Sequence, residues 1–142
     1  MSDKITNIYS RVQQEVLLHK IIRREIFSEV ERKDISEDSE FLQMAVLKMP
    51  KGKTFRPHKH VYKQFDGDMI AQESWVVISG KVKVILYDLD DSIIEEEILN
   101  PGDVSMTFKG GHNYEILEDD TFVYEYKTGP YMGQSKDKRF IG

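Results

Sequence analysis

Residues 52–80 read GKTFRPHKHVYKQFDGDMIAQESWVVISG, and they contain a pair of histidines from which the interpretation of the chain starts. His58 and His60 are two residues apart, and on a β-strand such residues project from the same face. The two imidazoles can therefore be presented to one ion, and imidazole suits zinc, copper, iron and nickel. A His-x-His pair alone is also typical of an ordinary surface strand, so the sequence on either side decides its meaning.

Further metal-binding groups follow the histidine pair along the chain. Glu73 precedes the short run Trp75–Ile78, and an antiparallel hairpin would place its carboxylate beside the two histidines. Farther on, the double glycine Gly110-Gly111 allows the backbone to bend sharply directly before His112. Three imidazoles and one carboxylate can then converge from separate strands.

Short runs of β-branched and aromatic residues, separated by Gly, Pro, Asp and Asn, recur from residue 41 onward. They predict strands at Phe41–Met49, Trp75–Ile78, Val82–Asp88, Ser92–Leu99, Val104–Phe108, Tyr114–Leu117 and Phe122–Tyr126. In the third run, Val82, Val84 and Leu86 share one face, and Lys83 lies on the other. Short strands spaced in this way predict an all-β sandwich or barrel.

The N-terminal segment fits two kinds of structure. Ile8, Val12 and Val16 fall at helical spacing, whereas Lys20–Phe27 suits a strand. We therefore expect a short helix or an extended arm, followed by a strand.

The 142 residues fit one domain, which we divide into an N-terminal arm and first strand (1–40), a β-barrel (41–130) and a C-terminal tail (131–142). The chain contains no cysteine, so any metal must be held by His, Asp or Glu. A net charge of −5 disfavours nucleic-acid binding. The apolar runs are too short to span a bilayer, and no apolar signal core is present near the start. We expect a cytoplasmic protein that binds neither nucleic acid nor membrane.

The order and spacing of these residues resemble those of the cupins. The first cupin motif is a glycine, five residues, His-x-His, a few residues, a glutamate, six residues and a glycine. The chain has these residues in the same order, as Gly52, His58, His60, Glu73 and Gly80.

The second cupin motif is a glycine, five residues, usually Pro-x-Gly, two residues and a histidine. The segment Gly102–His112 is similar but one residue shorter, with Phe108 in place of the usual proline. The resemblance implies a single-domain double-stranded β-helix, or jelly-roll barrel. It also implies one divalent metal ion, Fe, Mn, Ni or Zn, bound by His58, His60, Glu73 and His112.

The chain departs from the first motif in the interval between His60 and Glu73. Twelve residues separate them, where cupins usually have three or four, and at the usual spacing stands Gln64, the alternative fourth ligand. An inserted hairpin over Val61–Ala71, with Asp66-Gly67 as its turn, would explain the interval. This insertion is either a lid over the metal or an exposed loop without a role.

Several other residues are candidates for catalysis or substrate binding. Glu73 and Tyr131 are the candidate proton carriers. The possible substrate-binding residues are Arg56, Tyr62, Trp75 and Lys127. Trp75 alternates in phase with Glu73, so we expect it to face the barrel interior. If Glu125, which shares a strand face with Lys127, also points inward, its buried charge requires a partner or a ligand.

A looser similarity connects the segments QESWVVISGKV, LNPGD, GGH and KTGPY with small cupins of sugar-nucleotide and surface-polysaccharide pathways. It implies an enzyme for a small polar substrate, sugar-like or an oxo-acid, with isomerase or epimerase chemistry favoured. A dioxygenase and a non-catalytic ligand-binding module are the alternatives. Because an unpaired edge strand invites pairing, we also expect a homodimer that uses the strand near Lys20–Phe27.

Overall fold

The computed structural model describes residues 5–24, 31–60, 62–64, 68–129 and 138–141. The chain divides into two compact units, Met1–Val30 and Glu31–Gly142. Regular structure in the described ranges is almost entirely β-strand, which confirms the predicted all-β class. Within these ranges, no helix has the length and apolar character needed to cross a membrane.

The first unit contains an antiparallel β-hairpin. Strand β1 (Ile5–Tyr9) pairs with strand β2 (Leu17–Ile22) along its whole length. The connection starts at Ser10, whose Oγ accepts hydrogen bonds from the backbone N–H groups of Val12 and Gln13. This side chain stabilises a turn at the point where the first strand ends.

The short helix considered for this region is wrong, because residues 5–9 form a strand. The sequence of β1, ITNIY, has three residues branched at Cβ and one aromatic residue, which favour extended backbone over helix. The strand expected within Lys20–Phe27 begins earlier, at Leu17, and ends at Ile22. Residues 25–27 of that segment lie outside the described residues.

The second unit is built from short strands throughout. They are β3 (Arg32–Asp34), β4 (Leu42–Met49), β5 (His58–His60), β6 (Tyr62–Gln64), β7 (Asp68–Ile70), β8 (Glu73–Ser79), β9 (Val82–Tyr87), β10 (Ile93–Leu99), β11 (Val104–Thr107), β12 (Gly111–Ile116), β13 (Thr121–Thr128) and β14 (Lys138–Phe140). Each of the seven strands predicted from residue 41 onward overlaps one of these, β4 or β8 to β13.

Ten of these strands form two five-stranded sheets. One has the order β10-β9-β12-β5-β14 and the other has the order β11-β8-β13-β4-β3. All their pairings are antiparallel. This arrangement confirms the predicted jelly-roll barrel, and the edge strands β3 and β14 lie outside residues 41–130.

The long interval between the two halves of the first motif contains a separate hairpin. Strands β6 and β7 pair antiparallel, with Tyr62 opposite Ile70 and Gln64 opposite Asp68. This pairing agrees with the insertion expected between His60 and Glu73. The predicted turn at Asp66-Gly67 lies outside the described residues.

Side chains that alternate along the strands fill the barrel interior. In β9, Val82 and Val84 are buried on the inner side, as their spacing predicted. The hydrophobic core consists of Ala45, Leu47, Met49, Trp75, Val77, Val82, Val84, Leu99, Tyr114, Ile116 and Val123. Toward one end of the interior the same alternation places polar residues inside, and the candidate site lies there.

Candidate metal centre

Three candidate ligands from three different strands meet inside the barrel. His112 of β12 lies opposite His58 of β5, and Glu73 begins β8 of the other sheet. The His112 Nε2 atom is 3.1 Å from His58 Nε2 and 2.6 Å from Glu73 Oε2. One ligand atom from each residue lies within 4.8 Å of the other two. The fold therefore brings together His58 and His112, which are 54 positions apart in the sequence, as the two motifs predicted.

The backbone turn before β12 depends on glycine. Gly110 has a φ of 87°, and a Cβ atom at this position would lie 2.7 Å from the carbonyl oxygen of Tyr87. Both the conformation and the close approach exclude a side chain. The predicted bend before His112 is therefore present, and Gly110 provides it.

His112 is fully buried and held by hydroxyl groups. Its Nδ1 atom lies 2.9 Å from Thr107 Oγ1 and 3.4 Å from the hydroxyl of Tyr114. When Nδ1–H donates to Thr107, the lone pair of Nε2 is directed at His58 and Glu73. This contact fixes the orientation of the imidazole of this candidate ligand.

His58 has the same orientation of its ring nitrogens. Its Nδ1 atom lies 3.3 Å from the backbone carbonyl oxygen of Arg56, which accepts a hydrogen bond from Nδ1–H. The Nε2 atom is thereby left to face His112. The aromatic ring of Phe140 lies edge-on to His58, with ring centroids 6.4 Å apart.

These groups fit a divalent metal ion. Ligand atoms lie about 2.1 Å from an ion such as zinc, so two of them are about 3.0–3.4 Å apart at right or tetrahedral angles. The separation of the two Nε2 atoms, 3.1 Å, falls within this range, whereas the 2.6 Å between His112 Nε2 and Glu73 Oε2 is a hydrogen-bond distance that would lengthen by about half an ångström around an ion. When both Nε2 atoms carry lone pairs, they and the Glu73 carboxylate repel one another, and a cation bound between them would remove this repulsion. Imidazole with carboxylate suits Fe, Mn, Ni and Zn.

The other two predicted ligands are described only through their backbone. His60 pairs with Lys138 of β14, and Gln64 lies in the β6–β7 hairpin. Metal binding by His60 therefore stays a prediction, as does the alternative ligand Gln64. Of the two competing ligands Glu73 and Gln64, the described side chain that lies beside the histidines is Glu73.

A cavity of about 300 Å³ opens beside the candidate ligands, with His58 and Glu73 in its wall. Lys127 also lines it and lies directly opposite Glu73 in the pairing of β13 with β8. Side chains opposite each other in an antiparallel pair have Cβ atoms about 5 Å apart. Lys127, predicted to bind substrate, is thus a close neighbour of a candidate ligand.

Glu125 points inward and is 6% exposed. Its carboxylate accepts hydrogen bonds from Arg32 Nη2 at 2.8 Å and from Trp75 Nε1 at 3.0 Å. Burial and the charge of Glu73 raise the pKa of Glu125 above its ordinary value, while Arg32 acts in the opposite direction. Burial alone would lower the pKa of Arg32, but Glu125 and Asp34 raise it above its ordinary value. The partner that an inward Glu125 requires is therefore Arg32.

Arg32 is a charged cavity residue that sequence reasoning missed. It stands in the charged segment ERKD (31–34), which has no alternation that marks a strand. The one available signal was that a buried Glu125 requires a cationic partner. That signal does not identify which lysine or arginine is the partner.

Trp75 and Tyr114 form a flat aromatic layer beneath the cavity. Their rings are parallel within 1° and their centroids are 3.7 Å apart. Burial and the charge of Glu73 raise the pKa of Tyr114 well above its ordinary value, so its hydroxyl stays protonated and can donate a hydrogen bond. Trp75 faces the interior, as expected, and also lines the cavity.

The remaining candidate residues lie elsewhere or outside the described side chains. Arg56 is exposed, and its guanidinium group lies 4.2 Å from the ring centroid of Phe140. Tyr62 is described through its backbone in β6, and Tyr131 lies outside the described residues. Their roles in substrate binding and catalysis stay predictions.

Comparison with known proteins gives similarity in structure alone. No family model matches the chain, and no curated protein matches it. Similar solved structures include KdgF from Halomonas sp., which is 22% identical, with a TM-score of 0.54 over 68% of this chain and 77% of that chain.

Two further solved structures are similar in fold. The capsular polysaccharide assembling protein CapF from Staphylococcus aureus is 19% identical, with a TM-score of 0.64 over 81% of this chain and 31% of that chain. The chain thus spans about a third of CapF. A conserved protein with a double-stranded β-helix domain from Klebsiella pneumoniae is 17% identical, with a TM-score of 0.56 over 78% of this chain and 83% of that chain. The chain has this double-stranded β-helix fold, which confirms the fold implied by its resemblance to the cupins.

Proposed function

We propose that the chain is a metal-dependent enzyme that isomerises or epimerises a small polar substrate, sugar-like or an oxo-acid. The observation that carries this proposal is that His58, Glu73 and His112 meet beside a cavity of about 300 Å³ that has His58 and Glu73 in its wall. A similar fold occurs in CapF, a capsular polysaccharide assembling protein, and this analogy supports a saccharide-like substrate.

The proposed ligands are His58, His112 and Glu73, with His60 as a fourth. A bound divalent ion would act as a Lewis acid that polarises a substrate carbonyl group. The protein's part is to fix the ligands: Thr107 and the carbonyl group of Arg56 orient the two imidazoles through their Nδ1 atoms.

Isomerisation and epimerisation both require that a proton leave a carbon atom next to a carbonyl group and return. The carboxylate of Glu73 lines the cavity, and we assign it this proton transfer, with Tyr131 as the second proton carrier. We assign Lys127, which lies opposite Glu73 on β13, to binding the oxygen atom on which negative charge develops. The stacked rings of Trp75 and Tyr114 close the cavity on its apolar side.

Metal analysis tests the ligand assignment. The chain is purified without a histidine tag, loaded with Fe, Mn, Ni or Zn, dialysed and analysed for metal content. We expect about one ion per chain, and a loss of about tenfold or more in His58→Ala and in His112→Ala, because each removes a ligand. His19→Ala, in β2 of the first unit, is the matched control and keeps full occupancy. Wild-type protein with less than about 0.1 ion per chain contradicts the metal site.

Proton exchange tests the reaction. The metal-loaded chain is incubated in deuterated water with aldoses, ketoses and oxo-acids, and NMR follows the proton next to each carbonyl group. Isomerase or epimerase chemistry exchanges this proton for deuterium in a substrate. Uptake of dioxygen without exchange indicates a dioxygenase, and binding without either process indicates a binding module. Each of these two outcomes contradicts the proposed reaction.

A further inference from the structure

The cavity wall next to the candidate ligands contains an ion pair in which two nitrogen atoms of Arg32 each contact one oxygen atom of the Glu125 carboxylate. Arg32 Nη2 lies 2.8 Å from Glu125 Oε1, and Arg32 Nη1 lies 3.4 Å from Glu125 Oε2. Arg32 stands on the edge strand β3, while Glu125 is two strands away on β13. Between them, on β4, Ala45 lies opposite both Asp34 and Glu125. The small side chain of Ala45 leaves the space through which Arg32 reaches Glu125.

Stability does not explain this pair. A buried ion pair contributes little net stability, because desolvation of the charges offsets their attraction. Arg32 also belongs to a three-residue strand whose side chains are all exposed, and its own side chain is 42% exposed. Asp34 holds the Nε atom of Arg32 at 3.1 Å, so two carboxylates fix the plane of the guanidinium group. Donors that are held in place in this way favour ligand binding, because little freedom is lost when a ligand arrives.

The pair presents hydrogen-bonding groups to the cavity without net charge. A guanidinium group has five N–H donors, and Glu125 and Asp34 use three of those of Arg32 within the described part of the chain. Further N–H groups therefore lie beside the lone pairs of a carboxylate. Adjacent donors and acceptors match hydroxyl groups, which both donate and accept.

The charges of the whole cavity favour the same kind of ligand. Among the described lining residues, four carboxylates stand against two cationic side chains, in the set Arg32, Asp34, Asp38, Glu73, Glu125 and Lys127. The excess of two negative charges equals the charge of one divalent cation. A phosphate monoester, with a charge of about −1.5 to −2 at neutral pH, would add uncompensated negative charge to this space. A ligand rich in hydroxyl groups adds none.

We propose that the cavity binds an unphosphorylated, polyhydroxylated ligand of about the size of one monosaccharide, with its hydroxyl groups on Arg32 and Glu125. The volume of about 300 Å³ is at the lower end of ligand cavities and suits a single ring. This inference rests on the proposed function for the metal-binding end of the cavity, and it adds the substrate class and a second binding group, Arg32.

Ligand-observed NMR with matched compounds tests the substrate class. The metal-loaded chain is titrated with glucose, galactose, mannose, fructose and xylose, and with a monophosphate ester of each sugar. At least one free sugar should bind, and its phosphate ester should bind about tenfold more weakly or worse, because of the charge added to the cavity. A phosphate ester that binds as tightly as its free sugar overturns the proposal. So does the failure of all five free sugars to bind.

Two matched variants test the role of Arg32. Arg32→Gln should weaken binding of the same sugar about tenfold, because the amide can still donate to Glu125 but lacks the charged donors that face the cavity, and metal content is measured on the same sample. Arg139→Gln is the control, since Arg139 is also an exposed arginine of an edge strand paired with an aspartate, Asp91. Equal affinities of the two variants overturn the role of Arg32. Sugar binding by a chain that binds no metal contradicts the proposed function but leaves this inference intact.

Discussion

The two ends of the barrel interior are built from the same strands but have opposite chemistry. Strand β8 carries Glu73 at one end and Val77 four residues later, and β12 carries His112 and then Ile116. All four side chains are buried, with exposures of 8% for Glu73 and 0% for the other three. Alternation along the strand therefore determines which residues face inward, but the residue type at each inward position determines whether that end is apolar or polar.

Trp75 and Tyr114 lie at the boundary between the two ends. Their stacked rings pack with the apolar core on one side. On the other side their polar atoms contact polar groups. Trp75 Nε1 donates a hydrogen bond to Glu125, and the hydroxyl of Tyr114 lies 3.2 Å from Ser105 Oγ. Aromatic residues with one polar atom suit such a boundary because they contact both environments.

Introducing a carboxylate at the apolar end is the strongest test of this comparison. Val77→Glu places the same group as Glu73 on the same strand, four residues farther along, where apolar core residues surround it. We expect loss of about 4 kcal/mol or more in the free energy of unfolding, because the charge has no partner. Urea denaturation followed by circular dichroism measures this loss.

The control for that substitution is Ile94→Glu on β10, a side chain that is 62% exposed. It should change the free energy of unfolding by about 0.5 kcal/mol or less. If Val77→Glu were as stable as Ile94→Glu, the apolar end would tolerate charge, and the distinction between the two ends would not hold.

A smaller effect is expected from the hydroxyl group that orients the candidate ligand His112 at the polar end. Thr107→Val removes the oxygen atom 2.9 Å from His112 Nδ1 and keeps the shape of the side chain. Metal affinity should fall about 10- to 100-fold, because the imidazole loses its orienting partner. Competition with a chelator of known affinity measures this change.

Thr107→Ser is the matched variant, because it restores the hydroxyl group, and it should recover most of the affinity. An unchanged affinity in Thr107→Val would show that the packing of the buried ring, rather than the hydrogen bond, holds His112 in place.

The parts of the fold that could be predicted from the sequence depend on local patterns. The inward positions of Val82 and Val84 follow from alternation over a few residues, and the strand itself ends at turn residues. His58 was identified because its spacing from Gly52 matches the first motif, and His112 because its spacing from Gly102 is within one residue of the second. Both signals, the alternation along a strand and the spacing of a histidine from a glycine, can be recognised within short stretches of sequence.

The parts that could not be predicted depend on contacts between distant residues. Arg32 and Glu125 are 93 positions apart, and the registers of β3 on β4 and of β4 on β13 bring them together. Nothing in the segment ERKD indicates those registers. In the N-terminal unit, Ile8, Val12 and Val16 match a helical period by position alone. Ile8 instead lies in β1, which pairs with β2, and the two valines lie in the connection between these strands.

The smallest effect expected is a change in the pH dependence of stability, caused by Glu125 at the polar end. Burial, followed by the charge of Glu73, raises the pKa of Glu125 above its ordinary value of 4.5. At pH values between 4.5 and the raised pKa, the carboxyl group of Glu125 holds its proton more often in the folded metal-free chain than in the unfolded chain. The stability that this group contributes is therefore present below about pH 4.5 and is lost as the pH rises through the folded-state pKa.

Replacing Glu125 by glutamine removes this titration but keeps an oxygen atom that accepts the hydrogen bond from Trp75. The stability of Glu125→Gln relative to the wild type should therefore increase as the pH rises through that window, whatever constant offset the loss of the Arg32 ion pair adds. Urea denaturation of the metal-free proteins at a series of pH values measures this difference. Glu97→Gln, at an exposed position of β10, controls for the change of residue type. Parallel pH profiles for wild type and Glu125→Gln would mean that the unfolded and folded chains hold this proton equally, and that the polar end of the barrel does not perturb the carboxyl group that it buries.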